Sequence, residues 1–215
     1  MKDSNFDDEI NWFTKALNHH ENDEMAQALL SINFYCEENP DNAWGLIAKA
    51  LINTSLSNFE ESEKALKLID LKKNSSTKFL VTYYAEWGRL YHEKNEMEKA
   101  IEYYDKRIEI QPDKTPAYIY KGGALARMGR YKEAKEQHLK ATKLEGDPDE
   151  AFENLGNIFR AELNLEDAKD AFENSLKLCA NDENVEKKLE DVNKAFELKK
   201  QINAIQKIRQ KSSFK

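Results

Sequence analysis

Four histidines, two cysteines, forty carboxylates and one glycine pair are the groups in this 215-residue chain that could take part in chemistry. His19 and His20 are adjacent. On a helix their side chains diverge by about 100°, whereas a shared metal asks for the i, i+4 spacing that puts two rings on one face. They read as solvated helix-end histidines, and His138 as a packed one. Cys36 and Cys179 stand far apart with no motif spacing and read as buried reduced thiols. Gly122-Gly123 sits inside a helical pattern, without the setting of a phosphate loop. No nucleophile elbow or Cys/His arrangement occurs, and nothing in the spacing of the acids singles out a general acid/base pair. These residues point away from an enzyme, and no metal or cofactor is expected. Tyr83, Tyr84, Trp87, Tyr91, Tyr103 and Tyr104 could stack nucleic-acid bases. Most of them, however, fall where a helical core needs them.

What remains is charge and shape. The net charge of −7 is unevenly spread. Residues 193–215 hold seven Lys/Arg and one acid, so that segment is +6 and residues 1–192 carry −13. An acidic body repels nucleic acid and anionic membranes. Apolar residues make up 40% of the chain, enough to bury a core, while seven Gly and four Pro leave little room for a many-turned β fold. No apolar run is long enough to span a membrane. The acidic start, Met1 to Glu9, lacks the apolar stretch of a secretory leader, so a cytoplasmic, all-α protein is expected.

The elements that would position any functional surface follow from an internal repeat. Val81–Lys114, Thr115–Pro148 and Asp149–Asp182 align without gaps at a spacing of 34 residues. Position 4 holds Tyr84, Tyr118 and Phe152, and position 8 holds Gly88, Gly122 and Gly156. Position 20 holds Ala100, Ala134 and Ala168, and position 24 holds Tyr104, His138 and Phe172. Apolar positions 4, 7/8 and 11 make one helix face, and 17, 20, 24 and 27/28 another. The short segment between them forces an antiparallel hairpin. Thr115-Pro116 and Asp147-Pro148 read as N-caps followed by proline at the first helical position.

This pattern resembles the tetratricopeptide repeat (TPR) family. Tyr84, Gly88, Tyr91, Ala100, Tyr104 and Pro112 match its pattern closely. The two following repeats match except that Gly146 and Ala180 replace the proline at position 32. The resemblance implies a right-handed α–α superhelix, a TPR-like solenoid of about five hairpins plus a C-terminal capping helix. Two weaker units extend it towards the N-terminus. One starts at Glu9, with Trp12, Ala16, Ala28 and Pro40, and one at Asp41, with Trp44 at position 4, Ala48 at 8 and Leu51 at 11. The Asp41 unit needs two extra residues in its turn and four more before Val81, and Ser75-Ser76-Thr77 reads as the start of a lengthened helix. The expected organisation is a solenoid over 1–182, in units 9–40, 41–80, 81–114, 115–148 and 149–182. A capping helix and basic tail follow over 183–215. Ser4 and Asp7 read as a capping box, and the end from Lys211 to Lys215 as frayed. Val185, Leu189, Val192 and Phe196 form a stripe suited to covering the last repeat, and Leu198, Ile202, Ile205 and Ile208 form a second, out-of-phase stripe.

In the proteins it resembles, ligands contact positions 2, 5, 9, 12 and 13 of each first helix, on the concave side. Carried over, the binding groove would include Lys49, Asn53, Arg89, His92, Ile119, Arg127, Glu153, Asn157 and Arg160. Ala85, Gly123 and Ala126 would leave its middle open, and the cations would suit an acidic or C-terminal peptide segment. The alternative for the arginines is internal ion pairing, for instance with Glu93 or Glu153. The carboxylate clamp that holds heat-shock chaperone tails is not matched, since Ala85, Arg89, Tyr120, Glu150 and Asn154 stand at its positions. The function expected is a non-catalytic adaptor or scaffold that binds a protein or peptide. The alternatives are a stoichiometric inhibitor or immunity-type protein that wraps an enzyme or toxin, or self-assembly. A further alternative is nucleic-acid or membrane contact through Lys199–Lys215.

Overall fold

The computed structural model describes residues 11–212, with side chains for 11–207. The Ser4/Asp7 capping box, the last three residues, and the side chains of Ile208 and Arg209 lie outside that range. Eleven helices are described: α1 (Trp12–Glu21), α2 (Met25–Glu38), α3 (Ala43–Ser55), α4 (Phe59–Lys67), α5 (Thr77–Glu93), α6 (Met97–Ile110), α7 (Thr115–Arg127), α8 (Tyr131–Ala141), α9 (Asp149–Ala161), α10 (Leu165–Leu178) and α11 (Glu183–Ser212). The only extended pairing among the described residues is a single bridge between Lys114 and Glu145. The fold class is all-α and TPR-like. The chain divides into two compact units, Met1–Gln111 and Pro112–Lys215.

Each hairpin turns through one left-handed residue: Asp23, Ser57, Asn95, Gly129 and Leu163, with φ between 56° and 74°. The amide of the next residue donates to the carbonyl five residues back at 2.7–2.9 Å, as from Glu96 to Tyr91 or from Arg130 to Leu125. This closes the first helix as a Schellman-type C-cap and reverses the chain. The turn residues recur at intervals of 34, 38, 34 and 34. The first pair of hairpins is therefore in regular register, with no extra residues in the α3–α4 turn. All the excess falls between α4 and α5.

That excess shapes the first unit. Helix α4 is only nine residues long, and α5 is extended to 17 under a Ser76 cap whose hydroxyl accepts from the Phe79 amide at 3.3 Å. The added turn of α5 places Phe79 edge-on to Trp44, with ring centroids 5.2 Å apart. Trp87, Tyr91 and Tyr103 stack nearly parallel, with centroids 5.3–5.6 Å apart. They pack on one another as core, and burial pushes the Tyr103 hydroxyl up to about 12.

In the hairpins that start at α5, α7 and α9, a glycine of the first helix faces a ring of the second. A Cβ at Gly122 or Gly156 would stand 2.6 Å from the ring of His138 or Phe172, and Gly88 lies closer still to Tyr104. In the hairpin of α3 and α4 the close approach is polar. The buried Ser62 hydroxyl donates to the Ala50 carbonyl at 3.0 Å and meets the Thr54 hydroxyl at 2.7 Å.

In the second unit Thr115 is the first residue of α7, with Lys114 as its cap, and Pro148 caps α9. This corrects the expected Thr115 and Asp147 caps. Thr115 is fully buried, and its hydroxyl donates to the Glu145 carbonyl at 3.0 Å and the Ala141 carbonyl at 3.3 Å instead of closing the helix. Val185 and Val192 of α11 are buried against Leu165, Ala168 and Phe172, with Leu189 and Phe196 at the edge. Cys36 is buried, whereas Cys179 is exposed at the end of α10, contrary to the buried thiol expected there.

Candidate functional site

In the first unit the first helices α1, α3 and α5 are joined by one polar chain. His20 Nε2 lies 2.9 Å from the Ser55 hydroxyl. Arg89 donates to the same hydroxyl at 3.3 Å, to the Leu51 carbonyl at 2.7 Å and to Glu86 Oε2 at 3.1 Å. The guanidinium thus caps the C-terminal end of α3, where exposed carbonyls favour a cation. Burial raises the Glu86 carboxyl, and Arg89 and Arg107 counter it. Burial lowers the His20 pKa, and Arg89 adds to that. Arg89 is therefore a structural strut between α3 and α5. Both histidines at the end of α1 are half-buried and partnered rather than solvated, His19 by Glu24.

Arg89 meets α3 at Leu51 and Ser55. Lys49 and Asn53 belong to a register displaced by two residues. Lys49 is half-buried, and Asn53 is 3% exposed, with its amide turned back onto the Lys49 carbonyl at 2.8 Å. His92 is half-buried beside Glu93 at 3.6 Å. Of the three, only His92 is brought to the same stretch of α5 as Arg89.

In the second unit, Ile119 is buried and faces the core. Glu153, Asn157 and Arg160 of α9 face α11. Lys188 pairs with Glu153, Asn184 donates to it at 3.4 Å, and Arg160 reaches Asp191 at 3.4 Å and Asn157 at 3.5 Å. The internal pairing weighed for the arginines is what Arg89 and Arg160 adopt. Arg127 is exposed, at the end of α7.

One position on α7 stands open. Nothing lies within 4 Å of a Cβ added at Gly123, whereas its neighbour Gly122 is pressed on His138. Helical spacing places Gly123 on one face with Tyr120 and Arg127. Tyr120 is 46% exposed, a large aromatic presented at the rim of that gap. Tyr120 was not among the expected site residues. Its place one turn before Gly123 was the available signal. Among the described residues no cluster of three or more His, Cys, Asp or Glu could hold a metal. No helix described is long and apolar enough to cross a membrane.

The repeat geometry agrees with a family match. Residues 81–114 match the tetratricopeptide repeat family model. A tetratricopeptide repeat protein from Parabacteroides merdae superposes with a TM-score of 0.69 at 20% identity, covering 84% of this chain and 69% of that one. Residues 81–114 are a tetratricopeptide repeat, and the chain has the fold of tetratricopeptide repeat proteins. The second TPR domain of human RPAP3, solved in complex with an HSP70 peptide, superposes with a TM-score of 0.51 at 21% identity, over 55% of this chain and 98% of the domain. In sequence, mouse protein O-mannosyl-transferase TMTC1 (Mus musculus) is 30% identical over 111 residues, 52% of this chain. The chain spans 11% of that protein's length. The architecture is that of a protein–protein interaction scaffold.

Proposed function

We propose that the protein is a non-catalytic adaptor that binds a protein or peptide along the α7 face of its second unit. The observation that carries this reading is the open space over Gly123, flanked by the exposed Tyr120 and by Arg127. A glycine in a helix interior costs about 1 kcal/mol against alanine, so one that packs against nothing asks for another reason to be there. An approaching backbone or side chain supplies it. The aromatic rim offers area with little rotamer entropy to lose, and Arg127 offers a planar donor fork to a carboxylate. Affinity would then come from a preformed surface rather than from bond-making. The RPAP3 domain with its bound peptide supports the same mode for this chain, although the clamp residues of chaperone-tail binders are not matched here.

Affinity capture from the source cells tests the reading. Arg127→Glu should lose the partner that the wild type retains, with helicity unchanged. Equal recovery by both proteins would reject it.

A further inference from the structure

Two exposed apolar stripes, one on α2 and one on α11, carry opposite charge. On α2, Ala26, Leu30, Phe34 and Glu37 recur at helical spacing on one face. Leu30 is 72% and Phe34 45% exposed, and Ala26 and Glu37 are exposed with them. In sequence, residues 16–48 contain six carboxylates and neither Lys nor Arg, and Lys15, beside the strip, lies over the Trp12 ring. On α11, Leu198, Ile202 and Ile205 are 45–56% exposed. They lie roughly 140° around the helix from the stripe that packs on α10. Residues 198–215 contain six Lys/Arg and no carboxylate. Lys199, Lys200 and Lys207 are exposed among them. Beyond residue 197 the helix continues for 15 residues, about 22 Å at 1.5 Å per residue.

From this match in shape and charge we infer that the basic end of α11 docks on the acidic α2 face of a second copy of the same chain. Each surface is a helix with an apolar strip of three residues; carboxylates predominate near the α2 strip and lysines near the α11 strip, where Glu197 pairs with Lys200. Apart from the Trp12 ring, whose centroid lies 5.2 Å from that of Phe34, neither strip is covered by anything among the described residues. Packed together, the two would remove Leu30, Phe34, Leu198, Ile202 and Ile205 from water, and the carboxylates would face the lysines. The surfaces differ, so the contact is heterologous, and repeated copies extend it head to tail. The contact is largely ionic at its rim and weakens with added salt. The alternative occupants of the α11 stripe are an anionic membrane and an unrelated acidic protein. A membrane would leave the acidic apolar strip on α2 unexplained.

Charge swapping tests this on the full chain by sedimentation velocity over about a hundredfold range of concentration. The wild type should gain mass with concentration at low ionic strength and lose it in high salt. The variant Lys199→Glu/Lys200→Glu/Lys207→Glu should remain monomeric, and so should Glu37→Lys/Glu38→Lys. An equimolar mixture of the two should associate, because each keeps one native surface that fits the native surface of the other. Circular dichroism confirms that both variants are folded. All the substituted positions are exposed. A wild type that stays monomeric throughout, or a tail variant that associates as the wild type does, would overturn the proposal. So would a mixture that remains monomeric. Binding of the wild-type tail to phosphatidylserine vesicles without any self-association would assign the α11 stripe to a membrane instead.

Discussion

His138 occupies the place that Tyr104 and Phe172 fill in the neighbouring hairpins, against the equivalent glycine. It is 1% exposed, and both ring nitrogens are buried without a hydrogen-bond partner. Burial pushes its pKa down from 6.5 to about 4. Between those values the unfolded chain takes up a proton that the folded one refuses. The stability this group contributes is therefore complete above pH 6.5 and is lost as pH falls towards 4. Across the whole window that amounts to about 3 kcal/mol. His138→Phe should flatten the pH dependence of urea unfolding between pH 6.5 and 4, and raise stability at neutral pH by about 1–3 kcal/mol, since two unpartnered nitrogens leave the core. An unchanged slope would contradict the assignment. Its position in a repeat of aromatics made His138 readable as a core residue. Nothing in the sequence could show that its nitrogens would find no partner, because that depends on which backbone carbonyls the packed hairpin leaves in reach.

At the scale of elements, the five hairpin turns share one geometry but not one residue type. Leu163 adopts φ 56° where Gly129 serves in the hairpin before it, and it is 71% exposed. A left-handed leucine costs about 1–2 kcal/mol that little packing offsets. Leu163→Gly should raise the melting free energy by about 0.5–1 kcal/mol, as read by thermal unfolding. A loss would mean that its side chain packs on α11 more firmly than its exposure indicates. Arg89 acts at the same scale. Arg89→Gln should destabilise the first unit by about 1–3 kcal/mol, because the Leu51 carbonyl and the half-buried Glu86 lose the guanidinium that they share, leaving Glu86 only Arg107. Denaturant unfolding of the variant checks this.

These elements also show what the sequence could and could not convey. The gapless triplet from Val81 to Asp182 was legible because glycine, alanine and an aromatic recur together. The spacing of Trp44 and Ala48 imitates the family pattern two residues out of register with α3, in which Ala50 and Ser62 make the close contact. The role of Arg89 was hidden because its main acceptor is a backbone carbonyl 38 residues away.

At the scale of the whole molecule, stacked hairpins give each unit a face of first helices fixed before any partner arrives. In the first unit that face is tied together by His20, Ser55, Arg89 and Glu86. In the second, α11 occupies the α9 end and leaves the open stretch at Gly123. Recognition by such a face needs complementary shape and no reacting group. On the proposed function, the gap over Gly123 is there for a ligand. The decisive measurement is a binding titration of the Arg127-dependent partner against wild type and Gly123→Leu, with thermal melts run in parallel. Leucine at this position has open space and better helix propensity, so the variant should melt at the same temperature or higher. Its affinity should fall by at least about tenfold, or 1.4 kcal/mol. A folded Gly123→Leu protein that binds as tightly as the wild type would contradict the account.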